Sequence, residues 1–335
     1  ALLFGHLESK DKEARRAAVI AVRALVAQLG LPVLGALMSV VPAVLALTGD
    51  KKSAVVRELA ESATLDIFAL LPNAAVPVYI QEVLLKKKTG GLASLSRPET
   101  KVAALKLLSA AAAKAPREVE GMMIELVPVV SKAMWDVKKP VRVQAADTLV
   151  AVCGSLDNID IAPFVPDLVD SIADPELVPD CVYALAGTTF VQTITASALS
   201  ITVPLLKRGF GDKVTAIRRK CAVITENMAK LVRNPAEIEP FMPVIAPLLE
   251  KGILEIADPE CRARFEAASE VLVKVGTKGE EAKRPDLAPA ALATKLRQLM
   301  SKTKGTNLDS SAACIAFAAA VAASLGNVSD NFIRS

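Results

Sequence analysis

The side chains with the capacity for chemistry in this chain are lysines and arginines that come in short clusters. The 335-residue sequence has a formal net charge of only +4, so the positions of the cations carry more information than their sum. Clusters that lie along one edge of a molecule form a track that neutralises successive phosphates of a nucleic acid. Solvated, lysine-rich turns are the alternative, and charge alone favours neither interpretation. The candidate phosphate-binding residues are Lys86, Lys87, Lys88, Lys138, Lys139, Lys207, Arg208, Lys213 and Arg219.

An acidic interval interrupts these basic clusters. No lysine or arginine occurs between Arg142 and Lys207, whereas aspartates are frequent there. A nucleic acid is repelled by such a surface, and a basic protein is attracted to it. We therefore predict a composite partner, with RNA on the basic units and a basic protein docked at Asp167, Asp170 and Asp174.

Residues for catalysis or metal binding are not grouped in the sequence. His6 is the single histidine, which excludes a histidine-based triad or metal site. The five cysteines are widely separated; Cys181, Cys221 and Cys261 are 40 residues apart but differ in position relative to the turn aspartates. We predict that they are buried small apolar side chains in a reducing compartment. No GxxxxGK[ST] motif is present. The sequence thus predicts no catalytic residue, metal site or bound cofactor in this chain.

A frame that recurs about every 40 residues indicates the elements that must position the charged clusters. It consists of a proline, an aspartate eight residues later and an arginine six residues after that. This period is typical of stacked helical hairpins of the HEAT type, so we predict an all-α HEAT-repeat α-solenoid. In each unit the proline lies near the middle of the first helix, and the aspartate caps the second helix. The frame is complete at Pro128/Asp136/Arg142 and Pro204/Asp212/Arg218, and partial at Pro42/Asp50 and at Pro166/Asp174, where Asp180 takes the arginine position.

The arginine of the frame is predicted to have a structural role. In a stack of such units, we expect the arginine of one unit to bond the aspartate of the next, which forms a ladder along the solenoid. Asp180 breaks or reverses this ladder in its own unit. The predicted ladder residues are Asp136, Arg142, Asp212, Arg218, Asp258 and Arg264.

The pattern predicts three segments along the chain. Residues 1–276 form a solenoid of about seven units, the first of them incomplete. Residues 277–289 form a linker, and residues 290–335 form a helical segment that starts a following bundle or acts as a cap. Leu29–Leu47 carries no charge, but glycines and prolines interrupt it, so we predict a turn and a helix there and no membrane contact. Second helices are predicted near 11–29, 52–71, 99–114, 138–153, 175–190, 213–233 and 259–275.

Four stretches resemble the HEAT region of the fungal-type translation elongation factor 3 family. They are MWDVKKPVRVQAADTL (134–149), IADPELVPDCVYALAGTTFV (172–191), LSITVPLLKRGFGDKVTAIRRKCAVITENMAKLV (199–232) and IADPECR (256–262). The similarity is strong over 125–275 and weaker, but in register, over 1–124. The tail from 286 onward is similar to the start of the helical bundle that follows in that family.

This resemblance implies that the chain is the N-terminal, ribosome-binding part of a cytoplasmic ATPase of the ABC-F type. In that family two ATPase cassettes, which use ATP and Mg²⁺, follow downstream, and the protein promotes release of deacylated tRNA from the exit site. The HEAT region contacts rRNA and proteins of the small ribosomal subunit, and other translation elongation factors are further candidate partners. Two alternatives stay open: a ribosome-bound HEAT scaffold of the general-control stress response without cassettes, and a protein-only HEAT adaptor.

Overall fold

The described part of the chain consists of successive helices joined by short loops. The computed structural model describes residues 2–85, 92 and 95–282. Within these ranges every regular element of secondary structure is a helix. Short 3₁₀ segments precede several of the helices, and a π-helix spans Ile80–Leu85. The helices are α1 Leu2–Leu7, α2 Lys12–Leu29, α3 Leu34–Met38, α4 Val41–Leu47, α5 Ala54–Leu70, α6 Val76–Tyr79, α7 Pro98–Lys114, α8 Pro116–Glu120, α9 Met123–Ala133, α10 Lys139–Cys153, α11 Val165–Ala173, α12 Val178–Ala186, α13 Ala196–Phe210, α14 Thr215–Lys230, α15 Pro235–Ile238, α16 Met242–Glu255 and α17 Pro259–Ala282.

The helices stack in two layers, which confirms the predicted HEAT-repeat α-solenoid. Within a unit the first helix packs on the second, as α4 does on α5, α9 on α10 and α13 on α14. Between units, second helices pack on each other (α2 on α5, α7 on α10, α12 on α14), and so do first helices (α11 on α13). The second helices predicted from the frame correspond to α2, α5, α7, α10, α12, α14 and α17.

The core between the layers consists mainly of small and aliphatic side chains. Val22, Ala60, Leu105, Leu126 and Leu149 are completely inaccessible to solvent. Burial of an aliphatic side chain of this kind contributes about 1.5–3 kcal/mol. Because these residues recur at helical spacing on one face of each helix, burial of that face requires a neighbouring unit.

The frame prolines take two positions in the first helices. Pro128 and Pro204 lie inside α9 and α13, as predicted. Pro42 and Pro166 instead lie in the first turn of α4 and α11, where the amide that proline lacks has no intrahelical partner. The prediction of a central proline therefore holds for only some of the units.

The predicted linker begins inside a helix. Residues Ala1–Leu272 form one compact unit, and a second unit starts at Val273. Helix α17 continues to Ala282, so it includes the first residues of the segment 277–289; lysine, glutamate and alanine there favour helix. The rest of that segment, and the helical segment predicted at 290–335, lie outside the described residues.

The uncharged stretch Leu29–Leu47 is divided among the end of α2, a 3₁₀ turn at Leu31–Val33 and the short helices α3 and α4. In the described part of the chain, no single helix is both long and apolar enough to cross a membrane. One pair, Ala54–Leu70 with Asn73–Leu85, meets that criterion of length and composition only when its two arms are taken together, and they are bent by 118°.

Four cysteines occupy the core. Cys153, Cys181, Cys221 and Cys261 are buried and unpaired, as predicted for small apolar side chains. Burial raises the pKa of Cys153, Cys181 and Cys221 to about 12, so these thiols stay protonated near neutral pH. The fifth cysteine, Cys314, lies outside the described residues.

Candidate functional site

The turns that precede the second helices lie side by side along one edge of the unit Ala1–Leu272. Side chains link these turns in pairs: Arg15 Nε lies 2.6 Å from Asp50 Oδ2, and Lys101 Nζ lies 2.5 Å from Asp136 Oδ2. Farther along, the Cys261 thiol donates to the Thr215 carbonyl at 3.8 Å. We name this side the turn edge. It comprises the turns at 8–11, 48–53, 95–97, 134–138, 174–177, 211–214 and 256–258.

The frame aspartates shape these turns. Asp136 Oδ1 accepts a hydrogen bond from the Lys138 amide at 2.9 Å, and Asp212 Oδ1 accepts one from the Val214 amide at 2.7 Å. Each carboxylate thus satisfies a backbone donor at the start of a second helix. The side chains of the residues that follow the aspartate are therefore held at the surface of the turn.

The predicted arginine ladder is wrong for Arg142. Its guanidinium donates to the carbonyls of Asp136 and Val137, at 3.0 and 3.1 Å, so it closes its own turn and does not reach the aspartate of the next unit. An arginine in the first turns of a helix, six residues after the aspartate, can fold back onto the free carbonyls of the preceding turn. The link between units comes instead from the second helix of the preceding unit, through Arg15 and Lys101.

The other two ladder arginines also differ from the prediction. Arg218 donates to Thr215 Oγ1 at 3.4 Å, and the link to the next unit is made by Arg219, which pairs with Glu260 at 2.7 Å. Arg264 is exposed; Arg262 takes the turn-closing role and donates to the Ile256 carbonyl. The side chains of Asp212 and Asp258 cap their turns, and neither forms an ion pair in the described part of the chain. The contacts between units are therefore made by Arg15, Lys101 and Arg219, and not by the arginine at the sixth position after each aspartate.

Ion pairing at the turn edge also stabilises the charged form of its aspartates. Burial raises the pKa of Asp50, but hydrogen bonds from Arg15, Lys52 and Ser53 outweigh this effect and hold the pKa below its ordinary value. The hydrogen bond from Lys101, with a second from the Lys138 amide, lowers the pKa of Asp136. Both turns therefore carry a negative charge that a neighbouring unit neutralises.

Eight of the nine candidate phosphate-binding residues fall into three groups. Lys138, Lys139, Lys207 and Lys213 are exposed, and their side chains make no hydrogen bond or ion pair with any described residue. Arg219 is already paired with Glu260. Lys86, Lys87 and Lys88 lie outside the described residues. Together with Lys10 and Lys51, which are also exposed and unpaired among the described residues, the four free lysines are cations that the turn edge and the adjoining helix ends offer to an external partner.

Arg208 has a structural role that the sequence did not predict. Its guanidinium donates to the Ser171 carbonyl at the end of α11 and lies 5.7 Å from the ring centroid of Trp135. It therefore joins α13 to two neighbouring units, which limits its freedom to follow a phosphate.

The acidic interval forms a free carboxylate surface. Asp167 and Asp170 lie on α11, and Asp174 follows its last residue; separations of three and four residues place all three on one face. All three are exposed, and among the described residues none of them forms an ion pair. We name these three residues the acidic face. The interval 143–206 that carries it contains no lysine or arginine.

Sequence reasoning missed the exposed apolar residues of the turn at 134–138. Trp135 and Val137 are 56% and 89% exposed. The available signal was the position of the chain's single tryptophan next to a frame aspartate, where a core residue is not expected. No group of three or more histidine, cysteine or carboxylate side chains that could hold a metal ion is found within the described ranges.

Comparisons with known proteins agree with the resemblance in the sequence. The family described as "EF3 N-terminal HEAT repeat" matches residues 2–149, and the family described as "Elongation factor 3/GNC1 HEAT repeat" matches residues 176–283. Among solved structures, the chain is similar to a designed armadillo repeat protein, with a TM-score of 0.29 and 15% identity over 81% of this chain and 98% of that chain.

The curated relatives of this chain are elongation factors 3. Elongation factor 3 of Pneumocystis carinii is 38% identical over 90% of this chain, and elongation factor 3A of Saccharomyces cerevisiae is 36% identical over 89%. This chain spans 28% of the length of each of these two relatives. Elongation factor 3 of Phytophthora infestans is 41% identical over 69% of this chain and 22% of the relative. Because the two family matches together cover more than half of the sequence, the chain belongs to the elongation factor 3 family and carries its N-terminal HEAT-repeat region.

Proposed function

We propose that this chain is the ribosome-binding arm of a translation elongation factor, and that the turn edge lies on rRNA of the small subunit. One observation carries the proposal: free lysines at 138, 139 and 213, with Lys207 in the last turn of α13, form two groups along the turn edge, on either side of the acidic turn 174–177. Unpaired cations grouped along one edge suit a phosphate backbone, which releases counterions as each phosphate is neutralised. The ion pairs Lys101–Asp136 and Arg219–Glu260 hold neighbouring turns in register without using these lysines.

The acidic face supports a second contact, with basic ribosomal proteins. Its three carboxylates are exposed and form no ion pair with a described residue, so they attract cations and repel the phosphates that the free lysines attract. RNA and protein would then divide the surface between them according to charge. Other translation elongation factors are further candidate partners of this region.

The catalytic part of the proposal concerns the protein to which this arm belongs. We assign this region to an ATPase whose two cassettes bind ATP and Mg²⁺ and drive release of exit-site tRNA in the cytoplasm. The support is the resemblance to the elongation factor 3 family, two relatives of which are much longer than this chain, since it spans 28% of each. The arm itself contributes binding and orientation to that cycle.

Ribosome co-sedimentation of the full-length protein at increasing KCl tests the assignment. Lys138→Glu/Lys213→Glu should lower the bound fraction severalfold and flatten its salt dependence, because fewer counterions are released. The matched control is Arg117→Glu/Arg233→Glu, which has the same change in net charge at two exposed arginines outside the turn edge, one in α8 and one in the segment after α14. We expect the control to bind as the parent does.

Two outcomes would contradict the proposal. Equal loss in both variants would show that overall charge, and not the turn edge, determines binding. No sedimentation of the parent protein at any salt concentration would instead favour a protein-only HEAT adaptor.

A further inference from the structure

The single tryptophan of the chain projects from the turn edge among the free lysines. Trp135 lies in the turn between α9 and α10, with 56% of its surface exposed, and Val137 beside it is 89% exposed. Aromatic residues make up only 4% of the sequence. An exposed tryptophan is a preferred anchor in binding surfaces because its ring offers a large, rigid contact area.

Two open grooves flank this tryptophan. One has a volume of about 640 Å³ and is lined by Trp135, Val143 and Ala173, among others; the second, of about 610 Å³, lies on the side of Pro128 and Lys132. The ring therefore stands between two open spaces, each partly lined by apolar side chains.

The charges around the ring are mostly positive. The Arg208 guanidinium lies 5.7 Å from the ring centroid, and Lys138 and Lys139 follow in the same turn, exposed and unpaired within the described chain. Asp136, the carboxylate nearest in sequence, is neutralised by Lys101 at 2.5 Å. An aromatic ring among cations matches a single-stranded nucleic acid, whose bases stack on the ring while its phosphates contact the cations.

The acidic face limits the direction in which a strand can leave this ring. Ala173, on the wall of the groove that Val143 also lines, lies between Asp170 and Asp174 in the sequence. Phosphates are repelled there, so the strand should continue toward the side of Lys138 and Lys139. Phosphates are thus attracted on the side of the ring that carries Lys138 and Lys139, and they are repelled on the side of the acidic face.

We propose that Trp135 stacks on an unpaired base of RNA whose phosphates contact Lys138 and Lys139. This inference rests on the proposed function and specifies the RNA element that the turn edge recognises. A base within a duplex cannot present its face to a side chain, so the element must contain a bulged, looped or terminal nucleotide. Lysines alone would bind duplex RNA and single-stranded RNA equally, because they contact only phosphates.

Fluorescence anisotropy with a labelled oligoadenylate of about ten nucleotides tests the stacking. Trp135→Leu should raise the Kd at least about fivefold, as expected for loss of one stacked base, and Trp135→Phe should raise it less. With a labelled RNA duplex of the same length, Trp135→Leu should leave the Kd unchanged. Lys138→Glu/Lys139→Glu should weaken binding of both RNAs.

The matched control is Tyr183→Leu. Tyr183 is also an exposed aromatic residue under a cation, since Lys220 Nζ lies 4.6 Å from its ring centroid, but it belongs to the interval without lysine or arginine. We expect Tyr183→Leu to leave the Kd unchanged. Circular dichroism of each variant checks that the helices are intact.

The outcomes separate the two proposals. If Trp135→Leu binds oligoadenylate normally while the lysine variant does not, stacking is wrong and the proposed function stands. If the parent protein binds neither RNA, the RNA half of the proposed function fails together with the inference. If Trp135→Leu keeps its RNA affinity but loses binding to isolated small-subunit proteins, the tryptophan is a protein contact and the inference is overturned.

Discussion

Arg15 and Asp50 form an ion pair of 2.6 Å in which both side chains are more than nine-tenths buried. Arg15 also donates to the Ser9 carbonyl at 2.7 Å, and Asp50 accepts amide hydrogen bonds from Lys52 and Ser53. One pair of residues therefore fixes two turns and the contact between two units. Because the pair lies beneath the first two turns of the turn edge, it sets the positions of the exposed Lys10 and Lys51 in those turns.

Removal of the carboxylate should be more damaging than removal of the arginine. Asp50→Ala leaves a buried guanidinium without its counter-charge and two amides without an acceptor, so we expect a loss of about 3–5 kcal/mol in the free energy of unfolding. Arg15→Met should cost less, because Asp50 keeps its amide donors. Urea unfolding of the two single variants and of the double variant measures the coupling.

A surface pair provides the control for that prediction. Arg16 and Glu13 lie 3.6 Å apart with half or more of each side chain exposed. Arg16→Ala should change the free energy of unfolding by less than about 0.5 kcal/mol. If Asp50→Ala is as mild as Arg16→Ala, the buried pair does not have the structural role assigned to it.

Stability should decrease at acid pH through the same aspartates. The pKa of Asp50 and the pKa of Asp136 are both lower in the folded protein than in the unfolded chain. A depressed pKa contributes stability that is complete above the unfolded value near 4 and is lost as the pH falls through the folded value. We expect the urea midpoint to fall steadily below about pH 4.

The contribution of Asp136 can be isolated by substitution. Asp136→Asn should reduce the loss of stability between about pH 4 and pH 2, since the folded state no longer prefers the ionised side chain. Asp170→Asn is the control, because Asp170 forms no ion pair with a described residue. An unchanged acid dependence in Asp136→Asn would contradict the assigned role of the Lys101 contact.

The fold was predictable from the sequence because its signals are local. A proline that interrupts a helix and an aspartate that caps the next one act within a few residues of each other. The frame therefore located the second helices and the turns that join them. Pro42 and Pro166 departed from the pattern because proline is equally acceptable in the first turn of a helix.

The contacts between units were less predictable because they depend on how one hairpin sits on the next. The cation that reaches Asp50 or Asp136 comes from 35 residues upstream, at Arg15 or Lys101, and only the stacked structure brings them together. Arg142 closes its own turn because its helix points it back toward free carbonyls. The exposure of Trp135 was missed because an apolar residue in a helical repeat is ordinarily part of the core.

Close approach of helices α13 and α14 depends on a glycine. A Cβ added at Gly209 would lie 2.3 Å from Cys221 Sγ, so a side chain does not fit there. We expect Gly209→Ala to destabilise the protein by about 1–3 kcal/mol, although alanine favours helix over glycine. Gly209→Ala/Cys221→Ala should recover part of the loss because the thiol is removed.

Gly211→Ala is the comparison for this steric effect. A Cβ at Gly211 would meet its nearest atom, the Arg208 carbonyl oxygen, at 3.4 Å, which is an ordinary contact. Thermal unfolding should place Gly211→Ala close to the parent protein and Gly209→Ala several degrees lower. Similar melting temperatures for the two variants would refute the packing role of Gly209.

Charge reversal of the acidic face should separate protein docking from RNA binding. Asp167→Lys/Asp170→Lys/Asp174→Lys removes the attraction for basic ribosomal proteins, so we expect a severalfold lower ribosome-bound fraction at fixed salt. The same variant should bind oligoadenylate more tightly, since repulsion of phosphates is removed. The three side chains are exposed and form no ion pair with a described residue, and only Asp174 accepts a hydrogen bond, from the Glu176 amide. The free energy of unfolding should therefore fall by no more than the loss of one cap, about 0.5–2 kcal/mol. Unchanged ribosome binding alongside tighter RNA binding would show that no basic protein docks on this face.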